Sequence, residues 1–401
     1  MKLWKKISIG LLCAGFLSQI PFLINRVKTG ELAAQIEDQK ARTSETSNTD
    51  YRDYKGVIHA HSFLGGHSTG TFDEVISGAQ KNKLDYVVMT EHVSKHYDTS
   101  AMTLRGKNED VLFVGGNETS TADGDRFLIL SGFPGLARIS RSGTNLFLSE
   151  ARSKNKLAFV TYPKSFKSWD ADIDGIEVFS LHTNAKSMNP VTFLLDALWS
   201  YRSYPGLTLA RYFGRPAINL ERFDALTKTK RLTLFAGSDA HSNIGLHLGD
   251  DSNNKYINFK FDRYETIFKL VRTHILLPKE KDLDQANLLT ALKNGNAYIG
   301  VDILGDTSGF TFTAQRGNET KILGEEIRLD DEKVLLKSSA PQPSRFVIFK
   351  NGEIVYESDT TTEVSFTAKE KGAYRIEVYL DACGAPFDKM PWIISNPIYV
   401  R

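Results

Sequence analysis

Short apolar runs, each ending at or near a polar side chain, recur through the middle of this 401-residue sequence. They read GVIHAH, LDYVVMTEH, VLFVGGNE, LAFVTYP, GIEVFSLH and LTLFAGSDAH, and helix-like segments such as TFDEVISGAQKNK and NLFLSEARSKN separate some of them. Strands that alternate with helices predict an α/β fold with βαβ units and a parallel sheet. In a barrel of this class, polar residues at the carboxyl ends of the strands converge on one mouth. The strand-end residues are His61, His92, Glu118, Tyr162, His182, Asp239 and His241.

The segment GVIHAHSFLGGHSTG holds three of the nine histidines of the chain. Side chains two residues apart on a strand share a face, so we predict that His59 and His61 point together into the barrel. Gly65 and Gly66 allow a tight turn that brings His67 back towards them. Imidazoles suit divalent transition metals, and so many buried polar groups at one place would be costly without a metal.

Four motifs, in this order, resemble those of the PHP (polymerase and histidinol phosphatase) family of metal-dependent hydrolases. They are His59-Ala60-His61, Thr90-Glu91-His92, Glu118 in GNE, and Ser238-Asp239-Ala240-His241. The resemblance covers about residues 55–301 and implies a distorted (β/α)7-type barrel. With the β-rich region that follows, the chain resembles an exported branch of that family with a C-terminal β-sandwich.

The resemblance implies two sets of metal ligands. One set is His59, His61, Glu118 and Asp239, and the other is His67, His92 and His241, with Glu118 as a bridge. Tyr162-Pro163 stands where the family often has His-Pro, so a third site has lost ligands unless His182 supplies one. We therefore expect one or two divalent ions of zinc, manganese or iron. Lys164 is a candidate to replace the missing positive charge near an anionic substrate.

The reaction implied by the resemblance is hydrolysis of a phosphoester by metal-activated water. Asp239 would bind a metal and orient the water, Glu118 would bridge the metals, and His241 would bind a metal or protonate the leaving group. Hydrolysis of a carboxylic or carbamate ester at the same site is one alternative. A non-catalytic protein that binds a glycan or another partner is a second alternative. The exported location suggests a small-molecule, lipid or glycan ester as substrate.

Residues 304–401 differ from the preceding region, because they contain runs such as FTFTA, RFVIFKNGEIVYES and AYRIEVYL and no histidine. The tetrapeptide KNGE between two strand-like runs is a good hairpin signal. We predict a small antiparallel β-sandwich here, after a metal-binding domain at residues 55–303.

The N-terminus is apolar for about 18 residues after MKLWKK, which is near the length that spans a bilayer. The segment ISIGLLCAGFLSQIPFLI is either an uncleaved membrane anchor or a cleaved signal, and we assign it to residues 1–27. Both interpretations place the rest of the chain outside the cytoplasm, in a bacterial periplasm or at the cell surface. Residues 28–54 are polar and are predicted to be a linker.

Charge and cysteine content exclude two classes of site. The chain has 50 Lys and Arg against 48 Asp and Glu, a balance that gives no indication of nucleic-acid binding. The two cysteines, Cys13 and Cys383, cannot form a cysteine-based zinc site.

The aromatic stretch LLDALWSYRSYPGLTLARYFGRP is predicted to be a helical insertion that either caps the mouth or packs on the barrel. His274, in VRTHILL, is expected to be structural.

Overall fold

The computed structural model of the chain describes residues 3–42, 50–181, 184, 188–249, 255–330 and 333–401. The helices are α1 (Leu3–Leu17), α2 (Ile20–Arg42), α3 (Phe72–Lys81), α4 (Thr99–Met102), α5 (Leu136–Ile139), α6 (Thr144–Ser153), α7 (Pro190–Ser200), α8 (Pro205–Ala210), α9 (Ala217–Thr227), α10 (Tyr264–Ile267) and α11 (Gln285–Asn294). Helix α3 begins at a capping box, in which Thr71 and Glu74 each bind the backbone N–H of the other.

Seven of the first eight strands build the barrel. The eight are β1 (Tyr51–Ala60), β2 (Tyr86–His92), β3 (Gly106–Asn108), β4 (Val111–Ser120), β5 (Arg126–Leu130), β6 (Leu157–Val160), β7 (Gly175–Ser180) and β8 (Thr233–Ala240). All but β3 close into a ring in the order β1-β2-β4-β5-β6-β7-β8, and β8 pairs with β1. Only β5 runs against its neighbours in the ring, as a hairpin with β4. The predicted distorted barrel of seven strands is therefore confirmed.

Alternation along the strands places the ligand-type residues on the inner face of the barrel. One apolar cluster includes Val88, Val114 and Phe235, all fully buried. Glu118 lies four residues after Val114 on β4, and Asp239 lies four residues after Phe235 on β8, on the same face of each strand. The apolar side chains thus fill the barrel below the mouth, and the polar ones line the mouth.

The remaining strands form a hairpin and the C-terminal region. They are β9 (Gly245–Gly249), β10 (Lys255–Lys260), β11 (Arg272–Pro278), β12 (Ala297–Gly300), β13 (Thr311–Arg316), β14 (Glu319–Ile322), β15 (Glu326–Ile327), β16 (Val334–Lys350), β17 (Glu353–Glu357), β18 (Thr361–Ala368), β19 (Gly372–Tyr379), β20 (Ile393–Ser395) and β21 (Ile398–Val400). The long strand β16 joins two sheets, because residues 334–339 pair with β13 and β18, and residues 345–350 pair with β17 and β19. The predicted C-terminal β-sandwich is thereby confirmed.

The sandwich is attached to the barrel by shared backbone pairing and buried ion pairs. Strand β11 pairs with β1 and β12, and β12 pairs with β20 of the sandwich. The buried guanidinium of Arg375 forms two hydrogen bonds with Asp224 of α9, at 2.6 and 2.7 Å. Arg215 binds Glu377 in the same forked manner, at 2.7 Å for both bonds. Such bidentate pairs fix the orientation of two elements as well as their distance.

The predicted polar linker at residues 28–54 is wrong over much of its length. Residues 28–42 belong to α2, and β1 already begins at Tyr51. Helix α2 is held against α7 and α8, because Leu32 is buried and the guanidinium of Arg211, just after α8, donates to the hydroxyl of Thr29 at 2.7 Å. Helix packing thus overrides the linker-like composition of this segment.

His274 on β11 is structural, as expected, and it lies in a buried charge network remote from the mouth. Its Nδ1 lies 2.9 Å from Asp53 Oδ1, and its Nε2 lies 3.2 Å from Asp302 Oδ2. Burial alone would lower the pKa of His274, but the two carboxylates outweigh burial and raise that pKa to about 10. The imidazole is therefore a cation at neutral pH.

We expect stability to fall as the pH rises from about 7 towards 10, because a raised folded-state pKa stabilises the fold only while the group is protonated. His274→Gln should lower the free energy of unfolding at pH 7 by about 2 kcal/mol, because it removes the cation between Asp53 and Asp302 and leaves Arg272 as the partner of Asp302. The variant should also lose the part of the pH dependence that His274 supplies. Thermal unfolding at pH 7 and pH 10 checks this, with exposed His96→Gln as control. Equal pH dependence in parent and variant would contradict the assignment.

Candidate metal centre

Four side chains from three regions of the chain meet at the carboxyl end of the barrel. They are His59 and His61 at the end of β1, Glu118 on β4 and Asp239 on β8. Nε2 of His59 lies 3.4 Å from Glu118 Oε2 and 3.3 Å from Asp239 Oδ1. Nε2 of His61 lies at 3.4 and 3.3 Å from the same two oxygens. The four donor atoms therefore enclose a single point.

The four nitrogen–oxygen separations are compatible with a tetrahedral arrangement around one ion. The edge of a regular tetrahedron is about 1.63 times the bond length, so zinc bonds of about 2.0–2.1 Å require donor atoms about 3.3–3.4 Å apart. All four nitrogen–oxygen separations fall in that range. Two imidazoles with two carboxylates are also a donor set that zinc, manganese and iron accept. The residues present therefore fit a divalent metal.

The hydrogen-bonding state of the two imidazoles supports the same conclusion. His59 and His61 are fully buried, yet His59 Nε2 and both ring nitrogens of His61 have no hydrogen-bond partner in the part of the chain that the structure describes. A buried nitrogen without a partner costs free energy, and native proteins rarely leave one so. A cation between the two Nε2 atoms and the two carboxylates would satisfy both of these nitrogens together.

Left-handed backbone turns three of the site residues towards the mouth. His59, Tyr162 and Asp239 have φ values of 69°, 52° and 46°, a region that residues other than glycine seldom adopt. The pairing of β1 with β2 shifts register between Ile58 and Ala60, so His59 is the extra residue of a bulge. Strain of this kind is typical of functional sites, where the surrounding structure enforces it.

Glu177 on β7 fixes the tautomer of His59. Its Oε2 lies 2.9 Å from Nδ1 of His59, and the hydroxyl of Thr161 donates to the same oxygen. With the proton of the imidazole on Nδ1, the lone pair of Nε2 faces Glu118 and Asp239. The sequence analysis missed Glu177. Its signal is an ionisable residue in the middle of the apolar run GIEVFS.

Tyr162 supports a carboxylate of the site. Its hydroxyl donates a 2.6 Å hydrogen bond to Oδ2 of Asp239, which leaves Oδ1 facing the two imidazoles. Burial, and then the charge of Asp239, raise the pKa of Tyr162 far above its usual value, so the phenol is protonated. In this structure Tyr162 is therefore a hydrogen-bond donor to a member of the cluster.

The positive charge beside Glu118 comes from Arg126, at the start of β5. Nη1 of Arg126 lies 3.4 Å from Oε1 of Glu118, and the guanidinium lies over the ring of Tyr162. The sequence analysis missed Arg126, because the reversed β5 brings the first residue of a strand, rather than the last, to the mouth. Lys164 is exposed and has no side-chain hydrogen bond or ion pair within the described residues. The catalytic role suggested for Lys164 stays a prediction.

A second set of donors lies beside the first and consists of His61, His92 and His241. The ring of His61 stacks on those of His92 and His241, with centroids 4.6 and 4.4 Å apart. Nδ1 of His92 lies 3.6 Å from Oε2 of Glu118. Glu118 thus faces both sets, as a bridging carboxylate would.

The position of His67 differs from the expectation that it joins His92 and His241. The structure brings His61 into that set instead, and His67 is exposed at the rim, with its ring edge-on to His92 and the centroids 4.8 Å apart. The short turn Phe63–Gly65 intervenes, and the side-chain amide of Asn243 binds the carbonyl oxygen of His67 at 2.7 Å. These contacts hold the loop open at this point.

The carboxylates lie on the side of the cluster where His59 is, and the side with His92 and His241 is uncharged. Burial would lower the pKa of His59, but Asp239 and Glu177 outweigh it and hold that pKa well above its usual value. For His92 and His241, burial and then the charge of His61 lower the pKa to about 4. Both of these imidazoles are therefore neutral at pH 7, the form in which a histidine binds a metal.

The mouth of the barrel opens into a cavity of about 350 Å³. His92 and Glu118 lie on its inner side, and Lys95, Arg126 and Arg141 lie around its rim. Lys95 and Arg141 also line an adjoining cavity of about 390 Å³. Neither of these two cations has an ion-pair partner among the described residues, so the rim is positively charged and suits an anionic ligand.

Two further residues named in the sequence analysis are Glu91, in the second motif, and His182, at a strand end. Glu91 of the second motif accepts hydrogen bonds from Ser62 and from the hydroxyl of Thr103, so it secures the turn that follows His61. His182 lies outside the described residues, and its suggested part in a third site stays a prediction.

No family model and no curated protein matches the chain. Among solved structures, it is similar to a two-domain protein from Bacteroides vulgatus described as containing a predicted PHP-like metal-dependent phosphoesterase. Identity is 12%, coverage is 87% of this chain and 96% of that chain, and the TM-score is 0.39. It is also similar to PsfC from Pseudomonas syringae, with 14% identity, coverage of 62% and 91%, and a TM-score of 0.38. Neither likeness identifies the reaction of this chain.

We expect Glu177→Gln to weaken zinc binding about 10- to 100-fold, because the amide orients the imidazole of His59 less firmly and makes it less basic. Competition of the metal-free protein with a chromophoric chelator measures the dissociation constant. Glu150→Gln, on the outer helix α6, is the matched control. An unchanged zinc affinity in Glu177→Gln would show that the carboxylate does not position this ligand.

Proposed function

We propose that this chain is a metal-dependent hydrolase of the PHP family that acts on phosphoesters. The observation that carries the proposal is the cage of four donor atoms on His59, His61, Glu118 and Asp239, in which each imidazole nitrogen lies 3.3–3.4 Å from both carboxylate oxygens. The order of the four sequence motifs supports the family. Two imidazoles and two carboxylates suit zinc, manganese and iron, which are the candidate metals.

The side chains around the cage have distinct parts in the proposed reaction. A divalent ion supplies Lewis acidity, which lowers the pKa of water and neutralises charge on a phosphoester. Glu177 and Tyr162 hold His59 and Asp239 in place. Nδ1 of His241 faces the backbone oxygen of Asp239 at 2.8 Å, so its Nε2 is the atom that binds a metal or passes a proton to the leaving group.

The rim of the cavity favours a phosphoester over a neutral ester. Arg126, Lys95 and Arg141 surround the opening, and guanidinium groups bind phosphate oxygens in a forked geometry. A neutral carboxylic or carbamate ester gains nothing from these charges. We therefore place the phosphoesterase first and the carboxylic or carbamate ester hydrolase second.

The substrate class follows from the proposed location. The helix pair α1 and α2 includes one segment that is long and apolar enough to cross a membrane, close to the N-terminus. Export with this segment as an anchor or signal would place the mouth outside the cytoplasm. Small-molecule phosphates, lipid head groups and glycan-linked esters are the candidate substrates there.

The first test is metal content and turnover of the full-length protein in detergent. We expect about one or two zinc, manganese or iron ions per chain by elemental analysis, and hydrolysis of p-nitrophenyl phosphate or bis(p-nitrophenyl) phosphate. Faster turnover of p-nitrophenyl acetate would support the ester hydrolase instead. Bound metal without hydrolysis of any of these would support the binding protein.

In the same assay, Asp239→Asn should lower both bound metal and turnover by more than about tenfold, because it removes a charged donor from the cage. Asp172→Asn, an exposed substitution, is the control. Full metal load and full rate in Asp239→Asn would refute the cage.

Arg141→Ala should raise KM for p-nitrophenyl phosphate about tenfold and leave kcat nearly unchanged, because the rim charge attracts the substrate without contacting the reacting bond. The KM for p-nitrophenyl acetate should not change. Arg328→Ala, exposed on the sandwich, is the matched control. An equal change for both substrates would point to general damage rather than to loss of an anion contact.

A further inference from the structure

Helix α7 carries a stripe of exposed apolar side chains. Val191, Leu194 and Leu198 are 65%, 58% and 72% exposed, and their spacing of three and four residues places them on one face. The opposite face is packed on the protein, because Asp196 and Ser200 are buried. The polar side of α7 is thus held by Asn25 of α2 and by Tyr212, and the apolar side faces outwards.

Helix α7 is bonded to the helix that follows the apolar N-terminal segment. The indole N–H of Trp199 donates to the side chain of Gln19 at 3.0 Å. The amide of Asn25 donates to Asp196 at 3.0 Å, and the guanidinium of Arg26 donates to the carbonyl oxygen of Trp199 at 2.5 Å. The end of the apolar segment is therefore fixed beside α7.

The length of the uncharged segment places α7 at the level of a bilayer surface. Residues 7–25 contain no Lys, Arg, Asp or Glu, and Lys6 and Arg26 flank them. As a helix they span roughly 28 Å, close to the hydrocarbon thickness of about 30 Å. Helix α1, which holds most of this segment, has no buried residue. If the bilayer encloses residues 7–25, its surface lies at Arg26, and α7 lies beside Arg26.

The C-terminal half of α7 and the turn after it contact one level of α2. Asp196 of α7 binds Asn25, and Ser203, three residues after the end of α7, binds the adjacent Arg26. The end of α7 is therefore held at the level of Asn25 and Arg26.

We propose that α7 lies in the headgroup region of the phospholipid bilayer that holds α1, with Val191, Leu194 and Leu198 inserted at the acyl boundary. Exposed apolar side chains on one face of a helix are typical of helices that lie in a membrane interface. The protein is then seated on the membrane at two places, a spanning helix and a surface helix. Helix α7 follows β7 after the segment 181–189, so the interfacial helix belongs to an insertion at the mouth of the barrel.

The test measures the depth of single labelled positions in the full chain. A background with Cys13→Ser and Cys383→Ser receives one new cysteine, as Leu12→Cys, Val191→Cys, Leu198→Cys or Ile354→Cys, which carries an environment-sensitive dye. Each protein is reconstituted in phosphatidylcholine vesicles with or without lipids brominated near the acyl boundary. Ile354, 59% exposed on β17, is the matched apolar control.

We expect brominated lipid to quench the dye at positions 12, 191 and 198 at least twofold more than at position 354. In the Val191→Cys protein, adding Leu194→Glu should remove the quenching at position 191. In the Leu12→Cys protein, the same Leu194→Glu substitution should leave the quenching at position 12 unchanged. Quenching at 12 alone would overturn the proposal and describe a tethered domain. No quenching at 12 would overturn it as well, because the bilayer would not hold α1. Metal content and hydrolysis of the same samples test the proposed function separately.

Discussion

The compensation of buried charge at the mouth of the barrel is the constraint on which the site depends. Glu118, Asp239 and Glu177 are buried carboxylates, and His59 lies among them with one nitrogen bonded to Glu177. Carboxylates in a low-dielectric interior are costly unless positive charge balances them. A divalent ion in the cage would supply that balance, with His59 as a neutral ligand whose Nδ1 proton is held by Glu177. The apolar cluster below the mouth keeps water away from this arrangement.

The barrel departs from regularity where the site requires it. A bulge at His59 and left-handed backbone at Tyr162 and Asp239 turn side chains towards a common point that regular strands would not reach. The reversal of β5 brings Arg126 to the rim, next to Glu118. The register of the β1–β2, β1–β8 and β7–β8 pairs shifts near the site, and each of these strands remains paired on both sides.

The parts outside the barrel brace it from two directions. The sandwich holds α9 through Arg375 and Asp224, and Arg215 reaches back to Glu377. On the other side, α2 lies against α7 and α8 through Asn25 and Thr29. The barrel that carries the metal ligands is thereby fixed both to the sandwich and to the helix that leads to the apolar segment. Seating α7 on a bilayer would set the height of the mouth above the lipid surface.

The sequence by itself determined the strand pattern, the sandwich and most members of the cage. The alternation of apolar and polar residues predicted the strand ends, and the order of the four motifs indicated His59, His61, Glu118 and Asp239. The bulge that turns His59 inwards is seen only in the structure. Only the tertiary structure decided which residues support them. Glu177 and Arg126 act across strands that are distant in sequence, and residues 28–42 form a helix that packs on α7 and α8. Such partners depend on strand order and direction, which no local pattern encodes.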